Sequence, residues 1–147
     1  MLKKDKLFLI AEAGINHNGN VKTALKLVNA AKKAGANAIK FQTYKTEKRV
    51  KRNNPAYNIL KKCELNYKDF IKIKNYCDHL NIEFFSTPFD KEAVDFLTSI
   101  NVKKFKVASF DISNYELIDK ILQKRKFTII STGMATLNEI KKVNLKF

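Results

Sequence analysis

An α/β fold of the (β/α)-barrel type is what this sequence predicts, on three observations. Five short apolar runs each end in a small polar cluster: LFLIAEAGINHNG (7–19), NAIKFQTY (37–44), IEFFSTPFD (82–90), KKFKVASFD (103–111) and FTIISTGMA (127–135). Stretches long enough for amphipathic helices separate them. The polar clusters always follow the apolar run, which is how a barrel of parallel strands builds one site from many loops. Eight such units typically take about 250 residues. The 147 residues are therefore expected to hold a barrel-type fold truncated after about five βα units.

The strands are expected at 7–11, 38–41, 82–85, 105–108 and 127–130, because these runs are nearly continuously apolar. Parallel strands covered on both faces read this way. The first helix carries Val21, Ala24, Leu25, Val28 and Ala31 on one stripe, with Gly35 placed to end it. A long irregular connection follows over residues 45–62, rich in Lys and Arg. It reads either as a lid over a site or as a flexible basic insertion. Asn66 caps a second stripe of Phe70, Ile73, Cys77 and Leu80, and Asp90 caps a third of Ala93, Val94, Leu97 and Ile100. Leu117, Ile118, Ile121 and Leu122 make a fourth. Thr136 with Glu139 forms a capping box for the last, which holds Leu137, Ile140 and Val143.

The formal charge is +15, from 29 Lys and Arg against 14 Asp and Glu. The cations are mostly Lys and spread along nearly every helix, so a solvated surface is expected. No nucleic-acid motif accompanies the charge, and no nucleic-acid partner is expected. Such a field does attract phosphorylated and carboxylated ligands. Cys63 and Cys77 lack any CxxC or zinc spacing and read as buried, reduced thiols. No run reaches membrane-spanning length, so no membrane partner is expected and the cytoplasm is the expected location.

Three charged residues interrupt the apolar runs. Glu12 follows four apolar residues, Lys40 lies between Ile39 and Phe41, and Lys106 between Phe105 and Val107. A charge there is costly unless it faces a polar cavity or a partner. One such residue is readily a stem that snorkels to the surface. Three at equivalent positions point to a shared polar centre, suited to a ligand bearing phosphate and carboxylate. Thr87, Ser109, Ser131 and Thr132 add hydroxyl donors at neighbouring strand ends, or cap the helices that follow. Gly133 offers its backbone to an anion. His17, in the loop after the first strand, reads as a turn residue rather than a metal ligand, and His79 carries no assigned role.

Taken in order, AEAGINHNGN, AIKFQTYK, FFSTPFD, KVASFD and ISTGMA closely resemble the amino-terminal barrel of the sialic acid synthases. That family comprises N-acetylneuraminate synthase and relatives that make legionaminic, pseudaminic and spore-coat sugars. The resemblance runs from Leu7 to Ile140. It implies a TIM-barrel transferase of carbohydrate biosynthesis that condenses phosphoenolpyruvate with an open-chain N-acetylated hexose, giving a nonulosonic acid and phosphate. A divalent metal, manganese or magnesium, polarises the sugar aldehyde in the family. The family's phosphoenolpyruvate-binding lysines match Lys40 and Lys106, and its hydroxyl contacts match Thr87, Ser109 and Ser131. Its active-site glutamate matches Glu12, as the catalytic residue that orients the sugar or the attacking water. Gln42 and Asp111 match positions near the sugar.

The family's members run much longer than this chain, and their metal-holding histidines lie in later strands. The resemblance thus implies that residues 1–147 are the amino-terminal portion, with the carboxyl-terminal strands and an antifreeze-like domain absent. No metal ligand is assigned here, and the short chain is expected to be inactive alone. Its expected macromolecular partner is a second copy, as a homodimer, or a companion chain. A non-catalytic half-barrel that binds anions or a partner chain is the alternative. Ser109-Phe110-Asp111 also departs from the Gly-Ser-Gly-Glu form of N-acetylneuraminate synthases and lies nearer the pseudaminic or spore-coat branch.

Overall fold

Each strand pairs in parallel with the one that precedes it, so the sheet order is the chain order. The computed structural model describes residues 7–146. Its sheet contains β1 (Ile10–Gly14), β2 (Ala38–Thr43), β3 (Glu83–Pro88), β4 (Lys104–Val107) and β5 (Phe127–Ile130). The crossovers carry α1 (Val21–Lys33), α2 (Thr46–Arg49), α3 (Tyr57–Cys63), α4 (Tyr67–His79), α5 (Lys91–Ser99) and α6 (Tyr115–Leu122). A single 3₁₀ turn, Ser109–Asp111, follows β4, and α7 (Leu137–Asn144) follows β5. These are the five βα units of a barrel-type α/β fold that the apolar runs predict.

The helices start and stop on local chemistry. Asn20, Asn66, Asp90, Asn114 and Thr136 each accept a backbone N–H from the first turn of their helix. The predicted capping box of Thr136 and Glu139 is present in both directions. Three helices end alike, on a left-handed residue: Gly35 at φ +81°, Asn81 at +50° and Asn101 at +57°. Each is followed by a buried apolar residue, Ala36, Ile82 or Val102, whose N–H bonds back to the helix. Gly and Asn tolerate that backbone where other residues resist it. This stop feeds the chain straight into the next strand.

Alternation along the strands separates two faces. Ile39, Phe41, Phe84, Phe105 and Val107 turn to the helices and join the main core with Phe70, Ile73 and Leu97. The intervening residues Glu12, Lys40, Phe85 and Lys106 turn to the other face, where Glu12 pairs in register with Lys40 and Lys40 with Phe85.

Two expectations change. β1 begins at Ile10 rather than at Leu7, which is 84 % exposed. Its ladder starts where β2 supplies backbone, at the Ile10–Ala38 pair, and Leu9 instead bonds Asn37. The connection over 45–62 is not irregular, since it holds α2 and α3 and packs as a cap. Tyr44, Leu60 and Phe89 form a second small core there, with Ile15, Val50 and Ala56 against it. The Glu64 carboxylate anchors the cap by accepting from the Thr46 N–H and hydroxyl and from Lys45. A side chain at Gly19 would run into the Lys62 carbonyl, so that loop seats directly on the end of α3.

Candidate functional site

At the carboxyl ends of the strands, beside the cap, lies a cleft of about 410 Å³. Its lining comes from β1 to β4 and from the residues that follow β1, β3, β4 and β5. Lys40 is 5 % exposed and its ammonium lies 2.8 Å from Glu12 Oε1. It also donates to Thr87 Oγ1 at 3.0 Å. The Glu12 side chain is 61 % exposed, so a buried cation holds a carboxylate that still faces solvent. Lys106 donates to Ser131 Oγ at 2.6 Å and to the Val107 carbonyl at 2.9 Å.

The cleft carries an excess of positive charge. Burial, and then the neighbouring Lys40 charge, push the Lys106 ammonium below its ordinary pKa, with Glu12 acting the other way. Two cations and one carboxylate, paired with Lys40, thus line the same cleft. A dianion there relieves repulsion and replaces lost hydration with charge-assisted hydrogen bonds.

The structure brings Glu12, Lys40, Gln42, Thr87, Lys106, Ser109 and Ser131 together around this one cleft. Asp111 is close by but does not line it. Its Oδ2 is buried without a hydrogen-bond partner among the described residues. Burial raises its pKa, against the pull of Arg49. Gly133 meets nothing within 4 Å of where a Cβ would sit, so its backbone is open rather than crowded.

His17 is a turn residue: its ring is 1 % exposed, and Nδ1 accepts the Gly19 N–H at 3.1 Å. Cys63 and Cys77 are free and buried, and burial pushes the Cys77 thiol up to about 12. Among the described residues, no three His, Cys, Asp or Glu side chains converge to hold a metal ion. Glu12 is already paired with Lys40. The donors present therefore do not fit a divalent cation.

Sequence reasoning missed one group. The Arg49 guanidinium lies 3.8 Å from the Phe89 ring centroid and 4.7 Å from that of Tyr44, and donates to Gln42 Oε1 at 3.0 Å. Phe89 in turn stacks on Phe110. Arg49 was visible only as one more cation in a basic connection, because nothing local marks which of those cations folds inward.

The sequence profile of the NeuB family matches residues 27–145. The N,N'-diacetyllegionaminic acid synthase of Legionella pneumophila is 41 % identical over 91 % of this chain and 42 % of its own length. An uncharacterized protein of Methanocaldococcus jannaschii is 43 % identical over 94 % of this chain and 41 % of its own. The N-acetylneuraminic acid synthetase of Leptospira borgpetersenii, solved in complex with citrate, superposes with a TM-score of 0.94 at 39 % identity. That match covers 97 % of this chain and 50 % of the solved one. The chain thus spans about four-tenths of the length of the curated relatives it matches.

Proposed function

Because the chain belongs to the NeuB family, we propose that it supplies the phosphoenolpyruvate side of a nonulosonic acid synthase. One observation carries this reading: Lys40 and Lys106 face a common cleft that is also lined by Glu12, the ion-pair partner of Lys40. Relatives at this similarity include synthases of such acids. The residues 1–147 are, in this proposal, the amino-terminal portion of the family's barrel.

The roles follow from the chemistry of each side chain. Lys40 and Lys106 pair with the phosphate and carboxylate of phosphoenolpyruvate, displacing part of their present hydrogen bonding to Thr87 and Ser131. Those hydroxyls, with Ser109, then donate to the bound anion. Carbon 3 of phosphoenolpyruvate attacks the aldehyde carbon of an N-acetylated hexose, forming the carbon–carbon bond as the carbonyl π bond opens to an oxyanion that takes up a proton to become a hydroxyl. Water adds at carbon 2 of the resulting cation, and phosphate departs with its bridging oxygen. Glu12, exposed toward the cleft, orients the acceptor or that water and takes its proton. Gln42 contacts the acceptor. No step is assigned to a metal, since these residues do not offer a donor set for one.

Titration calorimetry with phosphoenolpyruvate tests this reading. The wild-type chain should bind saturably, and Lys40→Ala should weaken binding by tenfold or more. Absence of saturable binding by the wild type overturns it. The chain spans about four-tenths of the length of these relatives, so the 147 residues alone are expected to release no phosphate from phosphoenolpyruvate and a hexosamine. A phosphate-release assay with manganese present checks that.

A further inference from the structure

Part of the cleft has no use for a small dianion. Ile15, Phe89, Ala108 and Phe110 line it alongside the cations and hydroxyls. Phe110 is 50 % exposed, an unusual outlay for a phenyl ring beside a charged site. It is not loose, because its ring stacks on Phe89 with centroids 5.7 Å apart and planes 7° apart. Arg49 lies over Phe89 as well, at 3.8 Å from the ring centroid. Arg49 is held in turn by Tyr44 and by Gln42, which lines the same cleft. A column of Arg49, Phe89 and Phe110 therefore presents a fixed apolar surface next to the anion-binding lysines.

Water gains nothing from a rigid phenyl face, whereas covering it with apolar surface is favourable at about 25 cal/mol per Å². Phosphoenolpyruvate is too polar and too fully engaged by the lysines to do that. The second reactant has to approach the same cleft, and an N-acylated sugar carries a compact apolar group, its acyl methyl. Rigid aromatic walls of this kind take such groups with little further ordering.

We propose that Phe110 is a specificity-determining residue that receives the acyl methyl of an N-acylated acceptor, with Arg49 as the positioning residue that fixes Phe89 and Gln42. The inference rests on the function proposed above. It extends that function to a preference: the cleft selects N-acetyl over N-formyl sugars, which differ by this methyl alone. One methyl in an apolar pocket discriminates by about tenfold.

Saturation-transfer NMR and calorimetry with N-acetylmannosamine and N-formylmannosamine, each in saturating phosphoenolpyruvate, test the proposal. The wild type should saturate the acetyl methyl most strongly and prefer the acetyl sugar by about tenfold. Phe110→Ser should bring the preference near unity, Phe110→Leu should retain most of it, and Arg49→Leu should reduce it. Phosphoenolpyruvate affinity should stay unchanged in Phe110→Ser, which also shows that the variant is folded. An unchanged acetyl preference in Phe110→Ser, with phosphoenolpyruvate still bound, overturns the inference and leaves the proposed function standing. Failure of the wild type to bind phosphoenolpyruvate overturns both.

Discussion

Phe105 and Lys106 are neighbours in β4, yet they belong to opposite worlds. Phe105 points to the helices, is 0 % exposed and packs within the main core. Lys106 points to the other face, where burial and Lys40 work against its charge. The same contrast separates Ile39 and Phe41 from Lys40 in β2. One face of the sheet packs the core, and the other gathers partly desolvated like charges around a cleft. The difference teaches how a short repeat serves both ends: alternation assigns the roles, and chain-ordered parallel pairing brings each role into line with its neighbours.

Adjacent substitutions in β4 break this comparison most sharply. Phe105→Ala should lower unfolding free energy by about 3–5 kcal/mol, since it opens a cavity in a packed core. Lys106→Met should change stability by no more than about 0.5 kcal/mol or raise it, because it removes a cation held against its hydration. Phosphoenolpyruvate binding should reverse the order, falling tenfold or more in Lys106→Met. Urea denaturation and calorimetry on both variants measure it. Equal stability losses in the two would show that the faces are not divided as described.

A second test sits where the two faces meet, at the end of β3. Asp90 Oδ1 accepts the Ala93 N–H at 2.7 Å and caps α5, while Oδ2 accepts the Lys45 N–H at 3.2 Å and ties down the cap segment. Asp90→Ala should cost about 1 kcal/mol or somewhat more, and Asp90→Asn clearly less. If both roles are real, Asp90→Ala should also speed proteolysis within residues 45–62, which Asn66→Ala, a cap without the tether, should not do.

Much of this division was legible from the residues. The five strands, the caps at Asn66, Asp90 and Thr136, and the inward set of Glu12, Lys40 and Lys106 follow from period, capping chemistry and misplaced charge. All of these signals are local. The start of β1 was not legible, because an apolar Leu7 and Phe8 satisfy the pattern while only the partner strand decides where pairing begins. The packing of residues 45–62 was hidden for a related reason. Its second core draws Tyr44, Leu60 and Phe89 from distant positions, and Arg49 is singled out only by the rings it meets. Asp111 shows the converse: its position in a motif put it near the site, but it is not among the residues that line the cleft.

The smallest expected effect probes the helix-covered side, where charge should be least tolerated. His17 lies there, tilted against Phe41 at 6.0 Å between ring centroids, with Nε2 buried and without a partner among the described residues. Burial holds its folded pKa below the ordinary 6.5. As pH falls through 6.5 the unfolded chain takes up a proton that the folded chain refuses. The stability His17 lends is therefore complete above that pH, and is lost as pH drops through it toward the folded value. Raised by burial, Asp111 acts with the opposite sign as its carboxylate titrates, so a comparison with a His17 variant is needed to separate the two. The urea midpoint of the wild type should fall between about pH 7.5 and 5.5, and His17→Gln should flatten that fall. An equal fall in the variant would mean that the imidazole charges without penalty, and that the helix-covered side accepts charge as readily as the open one.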